Sequence, residues 1–345
     1  MQKTPLTQNL NTTLYALLVG CFITYSACSI AALAPIHRSG PDYDYYARGD
    51  VNAATPHPVA PGLALFGGGD WPPSALRWLV GHAGDGHIVI LRASGTRELE
   101  EDFYQDIPEI TSVETLVIHG ERAASDPAVL AVIRHADGIF IGGGDQSNYV
   151  RLWKGTPLAH SIDEHARAGK PVGGTSAGLA ILGGYVYGCL DSISVVSSDA
   201  LAQPTGPGIT LVRHFLHLPF LQRVITDSHF SVRARLGRLV TFVARLIQEE
   251  NDTQIVGLGI DQGAALLIDA DGIGHLRVTS PGFAWLVRPL KKPDAILAGR
   301  PLNYAPFTVT GIGPDSRVNF VNFEVTQPAF LQQISVENGH LVTLN

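Results

Sequence analysis

The sequence predicts an α/β protein built on a doubly wound, mostly parallel β-sheet. From Gly62 onward, short apolar runs alternate with amphipathic segments, which is the pattern of strands and helices in βαβ units. The apolar runs are continuous, and continuous runs are typical of parallel strands that helices cover on both faces. With 345 residues, 45% of them hydrophobic, the chain is long enough to bury a sizeable core.

The first half of the domain supplies this alternation. Strands are predicted in LALFGGGD (63–70), HIVILRAS (87–94), VETLVIHG (113–120), GIFIGGGDQ (138–146) and PVGGTS (171–176). Helices are predicted in SALRWLVGHAG (74–84), PAVLAVIRHA (127–136) and LAHSIDEHARAG (158–169). After about Val256 only strand patterns follow, as in IVGLGI (255–260) and AALLIDA (264–270). We therefore expect a β-rich C-terminal extension of the same domain.

The N-terminal part of the chain predicts export. Residues 1–34 are interpreted as a signal peptide or membrane anchor, because no charge occurs between Thr13 and Pro35. The segment LVGC, ending at Cys21, resembles a bacterial lipoprotein box, whereas ALA, ending at Ala34, fits a cleavage site, and both stay open. Residues 35–61 are expected to be a flexible linker, which leaves 62–345 as one domain. The mature protein would be periplasmic or extracellular, with a lipid anchor or membrane tether left open.

Composition and missing motifs exclude several functions. The net charge is −7 and no basic run occurs, so we expect no nucleic-acid partner. Neither G-x-G-x-x-G nor G-x-x-x-x-G-K-[ST] occurs, which argues against a nucleotide cofactor. Cys189 is the one cysteine after the leader, and there is no HExxH motif, so neither a metal nor any other cofactor is expected. The sequence leaves homodimer formation open.

One short segment predicts a nucleophile. GTSAG (174–178) fits G-x-S-x-G, a pattern that presents a serine on a sharp turn between a strand and a helix. Ser176 is therefore the candidate nucleophile. Amide groups for an oxyanion hole are expected from Gly143 or Gly144, which end an adjacent predicted strand, together with Ala177.

A serine nucleophile needs a base and a group that orients the base. His229 is the best candidate base among 13 histidines, because it follows an apolar strand and precedes a helix. Asp199 is the preferred orienting acid, and Asp191 is its rival; both lie between the serine and the histidine.

The order of motifs resembles one family of serine peptidases. GGGD, GGDQ, GTSAG, HFSVRARLGRL and GIDQ follow one another as in cyanophycinase and its relatives, which include aspartyl dipeptidase. The resemblance spans about Leu63 to Leu267. It implies a Rossmann-like sandwich similar to class I glutamine amidotransferases, with Ser176 as nucleophile and His229 as base. It also implies substrate contacts by four side chains, those of Gln146, Arg233, Arg235 and Arg238.

Helical spacing separates the three arginines into two groups. Arg235 and Arg238 would share one helix face while Arg233 points elsewhere, so we expect at least one of the three to hold a carboxylate of the protein itself.

Two departures from the family pattern bear on the substrate. The family usually reads D-Q-H-F where this chain has DSHF, with Ser228, and D-E-N-T where it has DQGA, with Gly263. We therefore expect an exported peptidase for aspartyl or β-aspartyl peptides that acts through a Ser-His-Asp triad, with cyanophycin itself a poor substrate. An esterase of the α/β-hydrolase type and a non-catalytic binding protein on the same fold are the alternatives.

Overall fold

Two β-sheets organise the chain. The computed structural model describes residues 36–191, 193–293 and 295–344. The larger sheet has 11 strands in the order β1-β2-β5-β4-β6-β7-β3-β12-β13-β16-β17. In chain order these are β1 (Ile36–Gly40), β2 (Tyr43–Gly49), β3 (Leu63–Phe66), β4 (His87–Arg92), β5 (Ser112–Ile118), β6 (Gly138–Ile141), β7 (Val172–Thr175), β12 (Ala264–Ile268), β13 (Ile273–Val278), β16 (Arg317–Asn319) and β17 (Glu324–Thr326).

The smaller sheet has eight strands in the order β19-β18-β15-β14-β11-β10-β8-β9. They are β8 (Tyr185–Tyr187), β9 (Leu211–Arg213), β10 (Val224–Asp227), β11 (Val256–Ile260), β14 (Ala284–Pro289), β15 (Tyr304–Ile312), β18 (Phe330–Glu337) and β19 (His340–Leu344). Residues after Val256 thus supply strands to both sheets.

The helices pack around these sheets. They are α1 (Pro73–His82), α2 (Leu99–Asp106), α3 (Pro127–His135), α4 (Gln146–Trp153), α5 (Pro157–Arg167), α6 (Ala177–Ala180), α7 (Ser197–Ala202) and α8 (Leu236–Glu250), with a 3-10 turn at Glu121–Ser125. α5 shows how the sequence encodes them. Thr156 caps its first turn by accepting from the Ala159 amide, and Leu158, Ile162 and Ala166 form a buried stripe at i, i+4, i+8.

The expectation of a mostly parallel sheet is right for the centre of the larger sheet and for β8, β10 and β11 of the smaller one. In the larger sheet, β5, β4, β6, β7 and β3 are parallel neighbours. The flanking strands pair antiparallel, as do β3 with β12 and β2 with β5. Several flanking strands are joined by short turns, and a short turn can connect only antiparallel neighbours, because a parallel connection needs a crossover of a dozen residues or more.

Residues 35–61 were expected to be a flexible linker, and this is wrong for the described part of that segment. β2 pairs with β5 over its full length, and Tyr45 and Ala47 are buried. Beyond β2, the Thr55 hydroxyl donates to Asp137 at 2.7 Å. Proline and glycine made this stretch look like a tether, but the alternation of half-buried and buried side chains in β2 is that of an antiparallel strand flanking the sheet.

The hydrophobic core has three parts. The largest lies between the sheets and combines Leu65 and Leu258 with Ile162 of α5. α1 and α2 cover the opposite face of the larger sheet, and α8 covers the smaller sheet with Leu239 and Phe242. All strands and helices predicted for the first half of the domain are confirmed. The sequence reading missed three helices and six strands, namely α2, α4, α7, β1, β2, β8, β9, β14 and β18.

The predicted leader, residues 1–34 with Cys21, lies outside the described residues. Within the described ranges no helix is both long and apolar enough to cross a membrane. The same ranges contain no group of three or more His, Cys, Asp or Glu side chains placed to hold a metal ion.

Candidate active site

Ser176 lies on a strained turn at the end of a central strand. β7 ends at Thr175, and Ser176 has φ 53° and ψ −114°, outside the regions that side chains usually allow. α6 begins at the next residue. A Cβ on Gly178 would approach the Ile141 carbonyl oxygen to 2.1 Å, so the last glycine of GTSAG is required by close packing against β6. The small residues therefore allow the turn, and the turn presents the hydroxyl.

His229 meets Ser176 from the smaller sheet. It follows β10, has φ 45°, and its backbone amide donates to the Gly67 carbonyl at 2.7 Å. Its Nε2 lies 2.8 Å from the Ser176 Oγ, within hydrogen-bond distance for a base and its nucleophile. The predicted pairing of these two residues is the geometry that the structure shows.

The other ring nitrogen of His229 faces an amide. Gln262, on the turn between β11 and β12, places its Oε1 3.0 Å from His229 Nδ1. The predicted partner, Asp199, lies instead in α7, where it is exposed and accepts from Ser198 at 3.3 Å; its rival Asp191 is also exposed. Because both nitrogens of His229 already have partners, the choice of Asp199 is wrong, and Asp191 does not replace it.

Sequence reasoning missed Gln262, although a signal was present. Gln262 is the second residue of DQGA and therefore stands where the resembling family has the glutamate of D-E-N-T. Gln262 lies after His229 in the sequence, outside the segment between Ser176 and His229 where the orienting acid was expected.

Three backbone amides near Ser176 are uncommitted. Gly143 packs beside the serine, since a Cβ placed on it would lie 3.4 Å from Ser176 Cβ. The neighbouring Gly142 amide donates to the Leu91 carbonyl at 2.9 Å, and the Ser176 amide donates to Phe66. Within the described ranges, the amides of Gly143, Gly144 and Ala177 have no acceptor. Such amides can stabilise an oxyanion.

Gln146 begins α4, two residues after Gly144. It is half-buried, and its Nε2 donates to the Tyr187 carbonyl at 3.1 Å. The structure therefore places it beside the glycine turn, with its amide nitrogen already engaged by β8.

Arg235 and Arg238 hold the buried carboxylate of Asp227. Arg238 donates to both Asp227 oxygens at 2.7 and 2.6 Å, and Arg235 Nη1 donates to Oδ1 at 3.0 Å. Burial opposes ionisation of Asp227, but Arg238 and then Arg235 outweigh it and hold the pKa of this carboxyl below its ordinary value. The expected structural role is confirmed for both arginines, since each pairs with Asp227, and the substrate contacts predicted for them stay predictions.

Arg233 differs from the other two arginines. It is exposed, and its side chain forms no ion pair or hydrogen bond with any described residue. It is close enough to His229 for its charge to lower the pKa of the imidazole. Of the three arginines, it is the most exposed.

This difference predicts opposite outcomes for two matched substitutions. We expect Arg238→Met to destabilise the protein by about 3–5 kcal/mol, because it leaves the Asp227 charge buried without its main partner. Arg233→Met should change the free energy of unfolding by less than about 0.5 kcal/mol. Denaturant unfolding of both variants measures the difference, and equal stabilities would contradict the assignment.

A model of a known protein family matches the part of the chain that carries this site. Residues 97–276, more than half of the chain, match the model of peptidase family S51. The chain belongs to peptidase family S51. The matched segment contains Ser176, His229 and Gln262.

Several relatives of this S51 chain are cyanophycinases. It is 31% identical over 192 residues to a cyanophycinase of Synechococcus elongatus. This match covers 55% of this chain and 53% of the relative. It is 28% identical over 215 residues to a cyanophycinase of Geminocystis herdmanii, and this match covers 58% of this chain and 69% of the relative. The chain thus spans about half the length of the first of these relatives.

A solved structure shares the fold of this S51 chain. A peptidase from an acI-B1 Actinobacterium superposes with a TM-score of 0.51 at 15% identity, covering 75% of this chain and 97% of the other. At this identity the likeness shows the fold alone.

Proposed function

We propose that this protein is a serine-type peptidase in which Ser176 is the nucleophile and His229 the general base. The observation that carries the proposal is the 2.8 Å contact between Ser176 Oγ and His229 Nε2 on a strained turn. Membership of peptidase family S51 supports it. The five parallel strands at the centre of the larger sheet, of which β7 ends at this turn, also support the amidotransferase-like classification that the resemblance implied.

The arrangement supplies each step of acyl transfer. Ser176 Oγ attacks the carbonyl carbon of the scissile peptide bond while His229 Nε2 takes the hydroxyl proton. The carbonyl oxygen becomes an oxyanion facing the amides of Gly143 and Ala177, each contributing about 3 kcal/mol. His229 then protonates the leaving amine, and water, deprotonated by the same imidazole, releases the acyl group from Ser176.

For the substrate, we propose aspartyl or β-aspartyl peptides. Arg233, exposed and unpaired among the described residues, supplies a guanidinium for the substrate carboxylate, and an Arg–carboxylate fork is among the stronger polar contacts. Cyanophycin is expected to be a poor substrate, because Ser228 and Gly263 replace polar groups of the family pattern. Ser228 is buried beneath Arg235, so its hydroxyl does not face a ligand.

Labelling and kinetics test this function together. A fluorophosphonate probe should label Ser176 alone, located by peptide mass mapping, and kcat/KM should be highest for Asp-Xaa or β-Asp peptides. Arg233→Gln should raise KM for these peptides about tenfold and leave KM for matched asparaginyl peptides unchanged. Activity on simple esters alone would favour an esterase, and efficient depolymerisation of cyanophycin would contradict the proposed specificity.

Export is a separate proposal, supported by the uncharged segment between Thr13 and Pro35. Cell fractionation of the full chain tests it, and recovery of uncleaved protein from the cytosol would contradict it.

A further inference from the structure

We propose that Gln262 is the positioning residue of the Ser176–His229 pair, so that this peptidase works with a neutral amide where a carboxylate usually stands. The inference rests on the proposed function. It concerns the group behind the base, and that group sets the tautomer of the imidazole and the charge it can carry.

The contact geometry defines what Gln262 does. Gln262 Oε1 lies 3.0 Å from His229 Nδ1, so the amide oxygen accepts a hydrogen bond from the proton on Nδ1. His229 Nε2 therefore keeps the lone pair that it needs to take the Ser176 proton. A carboxylate can only accept, so it permits this tautomer alone. An amide can also turn over and donate to Nδ1, which would place the imidazole proton on Nε2 and disable the base. Gln262 therefore orients His229 but selects the active tautomer less strictly.

Two glycine turns hold Gln262 in this place. A Cβ on Gly69 would lie 2.3 Å from Gln262 Cγ, so the GGGD turn packs directly against the side chain. The Gly263 amide donates to the Gly68 carbonyl at 2.9 Å, which ties the turn after β11 to the same segment. Gln262 is itself exposed, and its orientation comes from these contacts.

The charges around His229 do not replace the missing carboxylate. The charges of Arg233 and Arg235 act on the imidazole, and Asp227, the carboxylate that acts on it among the described residues, is engaged by Arg235 and Arg238. Burial lowers the pKa of His229; the hydrogen bond to Gln262 raises it, and the two arginines lower it. The imidazolium that forms when His229 takes the serine proton is therefore poorly stabilised.

The activity should depend on pH through the protonation of His229. The base must be neutral to act, and a lowered pKa keeps it neutral at lower pH. Activity should therefore persist into mildly acidic solution and fall only as pH drops through the lowered pKa of His229. A carboxylate at position 262 would raise that pKa and move the fall to higher pH.

Three variants test the proposal. Gln262→Glu should move the acid limb of the kcat/KM profile up by about one pH unit or more and raise kcat near neutral pH about tenfold. Gln262→Ala should lower kcat on the order of 10-fold to 100-fold with little change in KM, because the imidazole loses its orientation. Gln254→Glu, an exposed position before the other end of β11, is the matched control for added charge and should leave the profile unchanged.

An NMR titration of the His229 ring nitrogens keeps this test separate from the proposed function. It should show Nδ1–H in the wild type and a higher pKa in Gln262→Glu, whether or not a substrate is turned over. If the Gln262→Ala variant kept the pH profile and the kcat of the wild type, the proposal would be overturned. An unchanged pKa of His229 in the Gln262→Glu variant would overturn it as well. A wild type that neither cleaves peptides nor reacts with the probe, yet shows the NMR shift, would overturn the peptidase function and retain the contact.

Discussion

Replacing Ser176 or His229 by alanine is expected to lower kcat for peptide hydrolysis by several orders of magnitude. The two side chains share the 2.8 Å contact through which the proton passes, so neither acts without the other. The double variant should therefore be no less active than either single variant, because the members of such a unit fail together. Steady-state kinetics on an aspartyl peptide, with circular dichroism to confirm folding, measures the effect.

Ser198→Ala is the matched control. This serine is exposed on α7, and its hydroxyl contacts Asp199 alone among the described residues. It should keep full activity and full labelling by the fluorophosphonate probe. Activity of Ser176→Ala near that of the wild type would end the serine-peptidase assignment.

Gly68→Ala is expected to lower kcat at least about 100-fold while the protein stays folded. A Cβ at this position would lie 2.4 Å from both Nε2 and Cε1 of His229, so the methyl group would push the imidazole away from Ser176. The backbone adds strain, because Gly68 has φ +96°, a conformation that alanine rarely adopts. Kinetics and thermal unfolding separate the two effects.

Gly155→Ala is the control for the strain. Gly155 has φ +72°, but a Cβ there would meet nothing within 4 Å. It should lose about 1 kcal/mol of stability, as expected for alanine at positive φ, and keep its activity. A comparable loss of activity in both variants would mean that strain, and not the contact with His229, causes the effect at Gly68.

Local patterns were enough to predict much of the fold and part of the site. Strand β7 is a short run of small residues that leads into the serine of GTSAG, and β10 is a mainly apolar run that ends two residues before His229. In both cases the run predicts the strand, and the strand end predicts where the polar side chain lies. The parallel core was predictable for the same reason, since continuous apolar runs reflect burial on both faces.

Strand pairing between distant segments was not predictable in this way. β2 is a strand because β5 lies beside it, and its own sequence, rich in tyrosine and charge, resembles a tether. Helical spacing in the sequence sets Arg233 apart from Arg235 and Arg238, but it does not show what any of them binds. In the structure, Arg235 and Arg238 reach Asp227 and neutralise a charge that could not otherwise be buried.

Local sequence was enough to predict the candidate nucleophile, the candidate base and the parallel strands that carry them, because each depends on a short stretch of neighbouring residues. The group that lies against the candidate base depends on long-range packing. Gln262 reaches His229 because β12 pairs antiparallel with β3 and β11 pairs with β10, which brings the turn between β11 and β12 against the glycines after β3. Asp199 is nearer to His229 in the sequence, but α7 holds it in solvent. A hydrogen bond that spans 33 residues depends on where strands insert into the sheets, and that is settled by the packing of the whole core.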